Sequence, residues 1–155
     1  MDLRHYASAP VELADRTPNQ STTGKPEGLW VSVGEEWLDW CRSEEFRTDS
    51  DLYEHWVTVA DEANLLHLSS AEELDSFTAD YGEQLSPRFE SRYIDWTRVA
   101  DDYDGIVISP YVYSRRLTPH THWYYGWDIA SGCIWNSAFV KLTTARRIEF
   151  TGAAS

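Results

Sequence analysis

The chain is poor in basic side chains. Its 155 residues include 13 Lys and Arg against 26 Asp and Glu, which gives a formal net charge of −13. Proteins that follow nucleic-acid phosphates need a basic surface. The composition therefore excludes a broad nucleic-acid interface as the default function, although a single base could still enter a local cleft.

Signals for a membrane, for export and for disulfide bonds are also missing. The sequence has no apolar run of about 18 residues, the length of a membrane span, and no basic-then-apolar leader. We therefore expect a cytoplasmic protein without membrane partners. Cys41 and Cys133 lie far apart in apolar contexts without metal-ligand spacing, which predicts buried, reduced thiols.

Several common catalytic motifs do not occur. The rows contain no GxSxG, no P-loop and no GxGxxG, which excludes the usual serine-hydrolase elbow and the usual phosphate-cradling loops. His120 and His122 share one face of an extended segment and Asp128 follows six residues later. Such a pair is common by chance and lacks a Cys or Glu cluster, so we predict no metal site.

Apolar and acidic residues are plentiful instead. Hydrophobic residues make up 42% of the chain and aromatic residues 14%, with 8 Trp, which predicts a single folded domain over residues 1–155. Residues 35–104 hold 20 acidic and 5 basic side chains, a net −15, whereas the flanks sum to +2. Such a segment is usually a solvated surface, and the alternative is a face that binds a partner.

Hydrophobic periodicity predicts an α+β domain. We expect strands at residues 3–8, 28–33, 55–59, 64–68, 103–108, 133–135 and 145–150, and helices at 35–46, 71–81 and about 94–102. Ser70 and Glu73 have the spacing of a capping box before the second helix. The polar segment 17–26 predicts a loop, and we interpret it as a candidate lid over a ligand.

Aromatic residues are dense between positions 111 and 135, where they alternate with His, Arg and Asp. Such side chains bind flat ligands by stacking and by hydrogen bonds from their OH and NH groups. The alternative is that most of these rings fill a small core.

The order of these segments resembles the ADP-ribosyltransferase superfamily, in particular small bacterial and phage members of the diphtheria-toxin-like or RNA-phosphotransferase-like branches. The likeness rests on His5 within the first strand, on the Gly28–Ser32 strand (Gly-Leu-Trp-Val-Ser), and on Tyr103–Ile106 (Tyr-Asp-Gly-Ile). It spans most of the chain.

The resemblance implies a split two-sheet fold with short flanking helices and a cleft that binds NAD as substrate, without a metal. It implies that His5 and Ser32 contact an NAD ribose and that an aromatic ring stacks on nicotinamide. Candidates for that ring are Tyr6, Trp30, Tyr111 and Tyr125. Without the resemblance, His5 has a structural interpretation as a strand histidine that bonds a backbone carbonyl.

The family also places a Glu at the start of a late strand, where it stabilises the positive charge that develops on ribose. In this chain the corresponding position is near Ser131, which is not acidic. Asp128 is the nearest carboxylate, and we predict that it takes the role of this Glu. Glu149, the other late acid, is expected to face solvent in a terminal strand.

Three functions follow as hypotheses. The first is an NAD-dependent mono-ADP-ribosyltransferase with an unknown acceptor. The second is a degenerate module that binds NAD or another nucleotide without turnover. The third is a non-enzymatic acidic interaction protein, such as a phosphate-mimicking decoy or inhibitor, whose complex would weaken steeply with salt.

Overall fold

The computed structural model describes residues 1–46 and 50–149. Its strands, in chain order, are β1 (Leu3–Ala7), β2 (Leu29–Val33), β3 (Leu52–Val59), β4 (Leu65–Leu68), β5 (Gly82–Gln84), β6 (Arg92–Ile94), β7 (Gly105–Ile108), β8 (Ser131–Ile134), β9 (Val140–Leu142) and β10 (Arg146–Ile148). Its α-helices are α1 (Glu36–Ser43), α2 (Ala71–Tyr81) and α3 (Trp96–Asp102), and 3-10 turns cover Tyr113–Arg115, Pro119–Gly126 and Ser137–Phe139. The predicted α+β class is confirmed.

Eight of these strands form one mixed sheet. The order along it is β10, β3, β1, β2, β8, β7, β4, and β9 pairs with β3 beside β10. All pairs are antiparallel except β4 with β7, which the long crossover through α2 and α3 makes parallel. β5 and β6 form a separate two-stranded hairpin. The more specific arrangement, an ADP-ribosyltransferase-like split into two sheets, stays a prediction.

The shortest strand pairing in the main sheet is the one between β1 and β2. These strands pair only at Leu3 with Val33 and at Arg4 with Ser32, whereas β1 pairs with β3 through five residues and β2 with β8 through four. Beyond Arg4 the backbones of β1 and β2 no longer pair, and the imidazole of His5 reaches the carbonyl oxygen of Trp30 at 2.6 Å instead. We call this place the sheet opening.

Local sequence signals account for the elements around the largest core. Ser70 caps α2 by accepting a hydrogen bond from the Glu73 amide at 3.1 Å, as the capping-box spacing predicts. The four residues of β7 are all buried, as expected for a strand with apolar residues on both faces. Within the described residues, no helix is long and apolar enough to cross a membrane.

Three apolar clusters cover the two faces of the sheet. The largest packs α2, α3 and the aromatic 3-10 segment on one face, and α1 covers a smaller cluster on that face beside β1 and β3. The third lies on the opposite face and contains Leu3, Val31 and Val57. Cys41 and Cys133 are buried, reduced thiols on the face of the sheet that the three helices cover, as predicted, and burial raises the pKa of the Cys133 thiol.

A buried carboxylate joins three neighbouring strands beside the sheet opening. Glu54 on β3 is 0% exposed. Its Oε2 accepts hydrogen bonds from Tyr6 Oη at 2.7 Å and from Arg4 Nη1 at 3.2 Å, and its Oε1 lies 2.9 Å from Arg146 Nη2. A buried charge is stable only when it is paired, so Glu54 fixes β1, β3 and β10 relative to one another.

We expect Glu54→Gln to lower the free energy of unfolding by about 3 kcal/mol, because the neutral amide no longer balances the largely buried Arg4 guanidinium and weakens the contact to Tyr6. Urea unfolding followed by circular dichroism measures this change. The matched control is Glu62→Gln, an exposed position that should change stability by less than about 0.5 kcal/mol. Equal stabilities of the two variants would contradict the role given to Glu54.

Candidate functional site

A cleft of about 310 Å³ lies beside the sheet opening. Its walls come from β1, from β2 and the segment before it, from the start of α1, and from the chain that leads into β8. We call it the Trp30 cleft. The lining residues are Arg4, His5, Tyr6, Lys25, Trp30, Val31, Ser32, Trp37, Gly126, Trp127, Asp128, Ile129 and Ser131.

The alternation of side chains along β1 and β2 explains why the face of the sheet at the cleft is polar and aromatic. Because side chains alternate along a strand, Arg4 and Tyr6 of β1 share a face with Trp30 and Ser32 of β2. Trp30 contacts the large core, and Tyr6 contacts the cluster under α1. The cleft therefore lies between two packed regions, and its walls are held in place by both.

Trp30 forms the aromatic wall of the cleft. Its ring meets the ring of Trp127 edge to face, with centroids 4.9 Å apart, and the Lys25 ammonium lies 5.0 Å above the Trp30 centroid. Trp127 is 1% exposed, and its indole N–H has no hydrogen-bond acceptor among the described residues. The wall thus offers a flat surface that already attracts a cation.

Asp128 borders the cleft at the end of the aromatic 3-10 segment. Its Oδ1 lies 3.7 Å from Arg116 Nη2, and about a third of its side chain is exposed. Two residues later, the Ala130 amide donates to Glu36 Oε2 of α1 at 2.8 Å, which ties this segment to the helix. β8 begins at Ser131, so the first position of the late strand is not acidic, as the sequence predicted.

His5 bridges the sheet opening and borders the cleft. Its Nδ1 donates to the Trp30 carbonyl oxygen, which can only accept, so the neutral ring keeps Nε2 as an acceptor. Burial lowers the pKa of His5 below its usual value, the bond to Trp30 opposes this shift, and nearby His55 adds to it. Strand alternation puts the His5 side chain on the face opposite Tyr6, so the imidazole does not lie on the face of the sheet where the Trp30 and Tyr6 rings line the cleft.

Ser32 joins the end of β2 to the start of α1 through hydrogen bonds. Its hydroxyl donates to the Gly34 carbonyl at 3.2 Å and accepts from the Trp37 amide at 3.0 Å, an amide in the first turn of α1. It therefore holds the start of α1 against the end of β2, and its hydroxyl borders the cleft with both of these bonds made.

The four candidates for the stacking role are not placed together. Tyr6 and Trp30 line the cleft, and the Tyr6 hydroxyl is bonded to Glu54. Tyr111 lies behind the wall, where its hydroxyl donates to the Trp127 carbonyl at 2.6 Å. Tyr125 is 50% exposed and lies under Arg116 outside the lining. Of the four, Trp30 offers the cleft a ring whose indole N–H forms no hydrogen bond with any residue that the structure describes.

The His120 and His122 pattern divides between separate contacts. His120 Nε2 lies 3.1 Å from Asp75 Oδ1, which also pairs with Arg115, and these two partners lower the pKa of Asp75. His122 stacks parallel to Tyr125. Within residues 1–46 and 50–149, no group of three or more His, Cys, Asp or Glu side chains is placed to hold a metal ion.

Sequence reasoning missed two of the lining residues that shape the cleft, Lys25 and Trp127. Trp127 is one of many aromatic residues between positions 111 and 135, and the sequence does not distinguish it from the others. Lys25 lies in the segment interpreted as a loop, and its contact with Gly126 joins positions a hundred residues apart. One signal was present, because Lys25 is one of only two lysines in this acidic chain.

We expect His5→Gln to make stability less dependent on pH. Below its usual pKa of about 6.5 the unfolded chain binds a proton at His5 more readily than the folded protein, so this group stabilises the fold above that pH and less as pH falls. Gln donates to the Trp30 carbonyl without titrating. The loss of unfolding free energy from about pH 8 to about pH 5 should be smaller than in the wild type.

The measurement is urea unfolding at a series of pH values. His67→Gln is the control, because His67 is exposed and its ring contacts the Ser109 carbonyl in a similar way. If His5→Gln and the wild type lose stability in parallel, the assignment of a neutral, buried His5 is wrong.

Comparison with known proteins gives no family for this chain. No protein-family model, curated protein or solved structure matches it significantly. The function is therefore argued from the chemistry of the Trp30 cleft.

Proposed function

We propose that the protein is an NAD-dependent mono-ADP-ribosyltransferase whose substrate binds in the Trp30 cleft. One observation carries the proposal. The sequence predicts roles for His5, Ser32 and Asp128, and all three border the same cleft. Two of the four candidate stacking rings, Tyr6 and Trp30, line it as well. The acceptor of ADP-ribose is left open.

The residues of the cleft fit the chemistry of NAD. Trp30 offers a flat, electron-rich face for the positively charged nicotinamide ring. Asp128 supplies a carboxylate, and Lys25 supplies a positive charge. The cleft volume of about 310 Å³ is near the lower end for ligand pockets, roughly 300 to 1,000 Å³. It suits the nicotinamide and its ribose, with the remainder of the dinucleotide on the surface outside.

The sheet opening also supports the proposal. The resemblance implies a cleft where the sheet divides, and β1 and β2 stop pairing after two residue pairs, directly beside the cleft. One half of the sheet consists of β9, β10, β3 and β1. The other half consists of β2, β8, β7 and β4. A ligand at the cleft would contact both halves.

Asp128 would act on the reacting ribose. During transfer, the bond between the anomeric carbon and nicotinamide breaks, and its electron pair leaves with nicotinamide. The acceptor forms the new bond to that carbon and gives up its proton. Positive charge builds on the ribose ring meanwhile, and a fixed carboxylate in a cleft of low polarity stabilises it. Nε2 of His5, reached through the sheet opening, would accept a hydrogen bond from a ribose hydroxyl.

The other two hypotheses make different predictions. A nucleotide-binding module would bind NAD in the same cleft but release no nicotinamide. An acidic decoy would bind a basic partner in a salt-sensitive complex that is indifferent to changes in the cleft. The convergence of residues on the cleft supports NAD binding over the acidic decoy, and the presence of the Asp128 carboxylate there supports transfer over binding alone.

We expect Asp128→Asn to reduce the release of nicotinamide from NAD by about 100-fold or more, the typical cost of losing one electrostatic stabiliser of a transition state. NAD affinity should change by less than about threefold, because the carboxylate acts mainly when charge develops. Nicotinamide release is measured by chromatography and affinity by calorimetry.

Asp39→Asn is the matched control, because Asp39 is also paired with an arginine, at 3.9 Å, but does not line the cleft. It should release nicotinamide at the wild-type rate. Binding of NAD without release by the wild type would replace the transferase with the binding module. An absence of NAD binding would reject both.

A second prediction concerns the aromatic wall. We expect Trp30→Ala to weaken NAD binding by about tenfold or more, because a stacked aromatic partner is worth roughly 1 to 3 kcal/mol per base or ring. Trp56→Ala is the control, since Arg4 lies 3.9 Å above the Trp56 ring and Trp56 is outside the cleft. Calorimetry that finds equal losses for both variants would exclude Trp30 as the stacking ring.

A further inference from the structure

Lys25 enters the Trp30 cleft from a segment that is anchored to the core. Trp96 of α3 holds this segment through two hydrogen bonds, from its Nε1 to the Gly24 carbonyl at 2.9 Å and from its amide to the Ser21 carbonyl at 3.1 Å. The Lys25 side chain then runs along Gly126, where an added Cβ would lie 3.0 Å from Lys25 Cε. The ammonium group is therefore held at a defined position in the cleft.

Lys25 and Arg4 are two cations of the cleft lining, and they differ in their surroundings. Arg4, another cation of the lining, contacts the carboxylates of Asp2, Glu35 and Glu54 at 3.0 to 3.2 Å. Lys25, by contrast, forms no ion pair with any residue that the structure describes. Burial lowers its pKa, and the charge of Asp128 partly opposes this shift. Its ammonium rests instead against the face of Trp30.

We propose that Lys25 is the phosphate-binding residue of the cleft and that, without a ligand, its ammonium occupies the Trp30 face that a pyridinium ring takes when NAD binds. This inference rests on the proposed function. Two positive charges cannot share one ring face at low cost, so the arriving nicotinamide displaces the ammonium. The pyrophosphate of the same ligand provides the anionic partner that the ammonium lacks.

The two ends of NAD should consequently respond in opposite ways to the loss of Lys25. ADP-ribose carries the phosphates without the pyridinium, and the 1-methylnicotinamide cation carries the pyridinium without the phosphates. In Lys25→Met, a substitution that keeps an unbranched side chain, ADP-ribose should bind about 10- to 100-fold more weakly, the cost of one charge-assisted hydrogen bond. The 1-methylnicotinamide cation should bind a few-fold more tightly than it binds the wild type, because no ammonium has to leave the Trp30 face.

Calorimetric titration of each probe into wild type, Lys25→Met, Lys25→Arg and Lys141→Met tests this. Lys25→Arg should retain ADP-ribose binding, because guanidinium also binds phosphate. Lys141 is the other lysine, exposed on β9 outside the cleft, and its loss should change neither affinity. The ADP-ribose affinity of the wild type should fall with added salt more steeply than that of Lys25→Met.

The outcomes show whether this inference alone has failed or the proposed function has failed as well. Unchanged ADP-ribose binding in Lys25→Met, with intact NAD binding by the wild type, overturns the role of Lys25 alone. Parallel weakening of both probes shows a general loss of the cleft and overturns it as well. If the wild type binds neither NAD nor either probe, the proposed function fails and the inference fails with it. Opposite responses of the two probes support it.

Discussion

The hydrogen bond from His5 to the Trp30 carbonyl holds the main sheet together where its backbone ladder stops. Two residue pairs join β1 to β2, and this side-chain bond takes the place of the next backbone bond. Without it the Trp30 carbonyl would lose its partner at a half-buried position, which is costly. The aromatic wall and the mouth of the cleft therefore depend on one imidazole that donates from Nδ1.

The cleft contains a local positive charge, although the molecule as a whole is acidic. A net charge of −13 repels an anionic ligand at long range. At the cleft, Arg4 is neutralised by carboxylates that fix β1 and β3, while Lys25 is left with an aromatic ring as its partner. A local positive charge thus exists where a phosphate would need it, inside an acidic protein.

Local signals predicted the elements well and their ends less well. The capping box at Ser70 and the apolar run of β7 depend on neighbours in sequence, and both are confirmed. The helix predicted at 35–46 is shorter, because the chain leaves α1 after Ser43 and Glu45 adopts a φ of 54°. β3 begins at Leu52 rather than at His55, since its pairing with β1 and β10 decides its length.

The site was partly predictable for a related reason. The resemblance points to His5 and to four candidate aromatic residues, because the order of the segments along the chain carries information. It gave no way to separate Tyr111 from Trp30, since whether a ring packs in the core or lines a cleft depends on contacts between distant segments. The same holds for Lys25, whose place is set by Trp96 and Gly126.

The order of the strands has a consequence for motion. The chain passes from one half of the sheet to the other between β1 and β2, between β2 and β3, between β3 and β4, and between β8 and β9. Four covalent connections thus cross the same narrow junction, so the halves are interleaved in sequence and are not two domains on a hinge. Widening the opening would require all four connections to adjust together, whereas the side chains that line the cleft can rearrange one at a time.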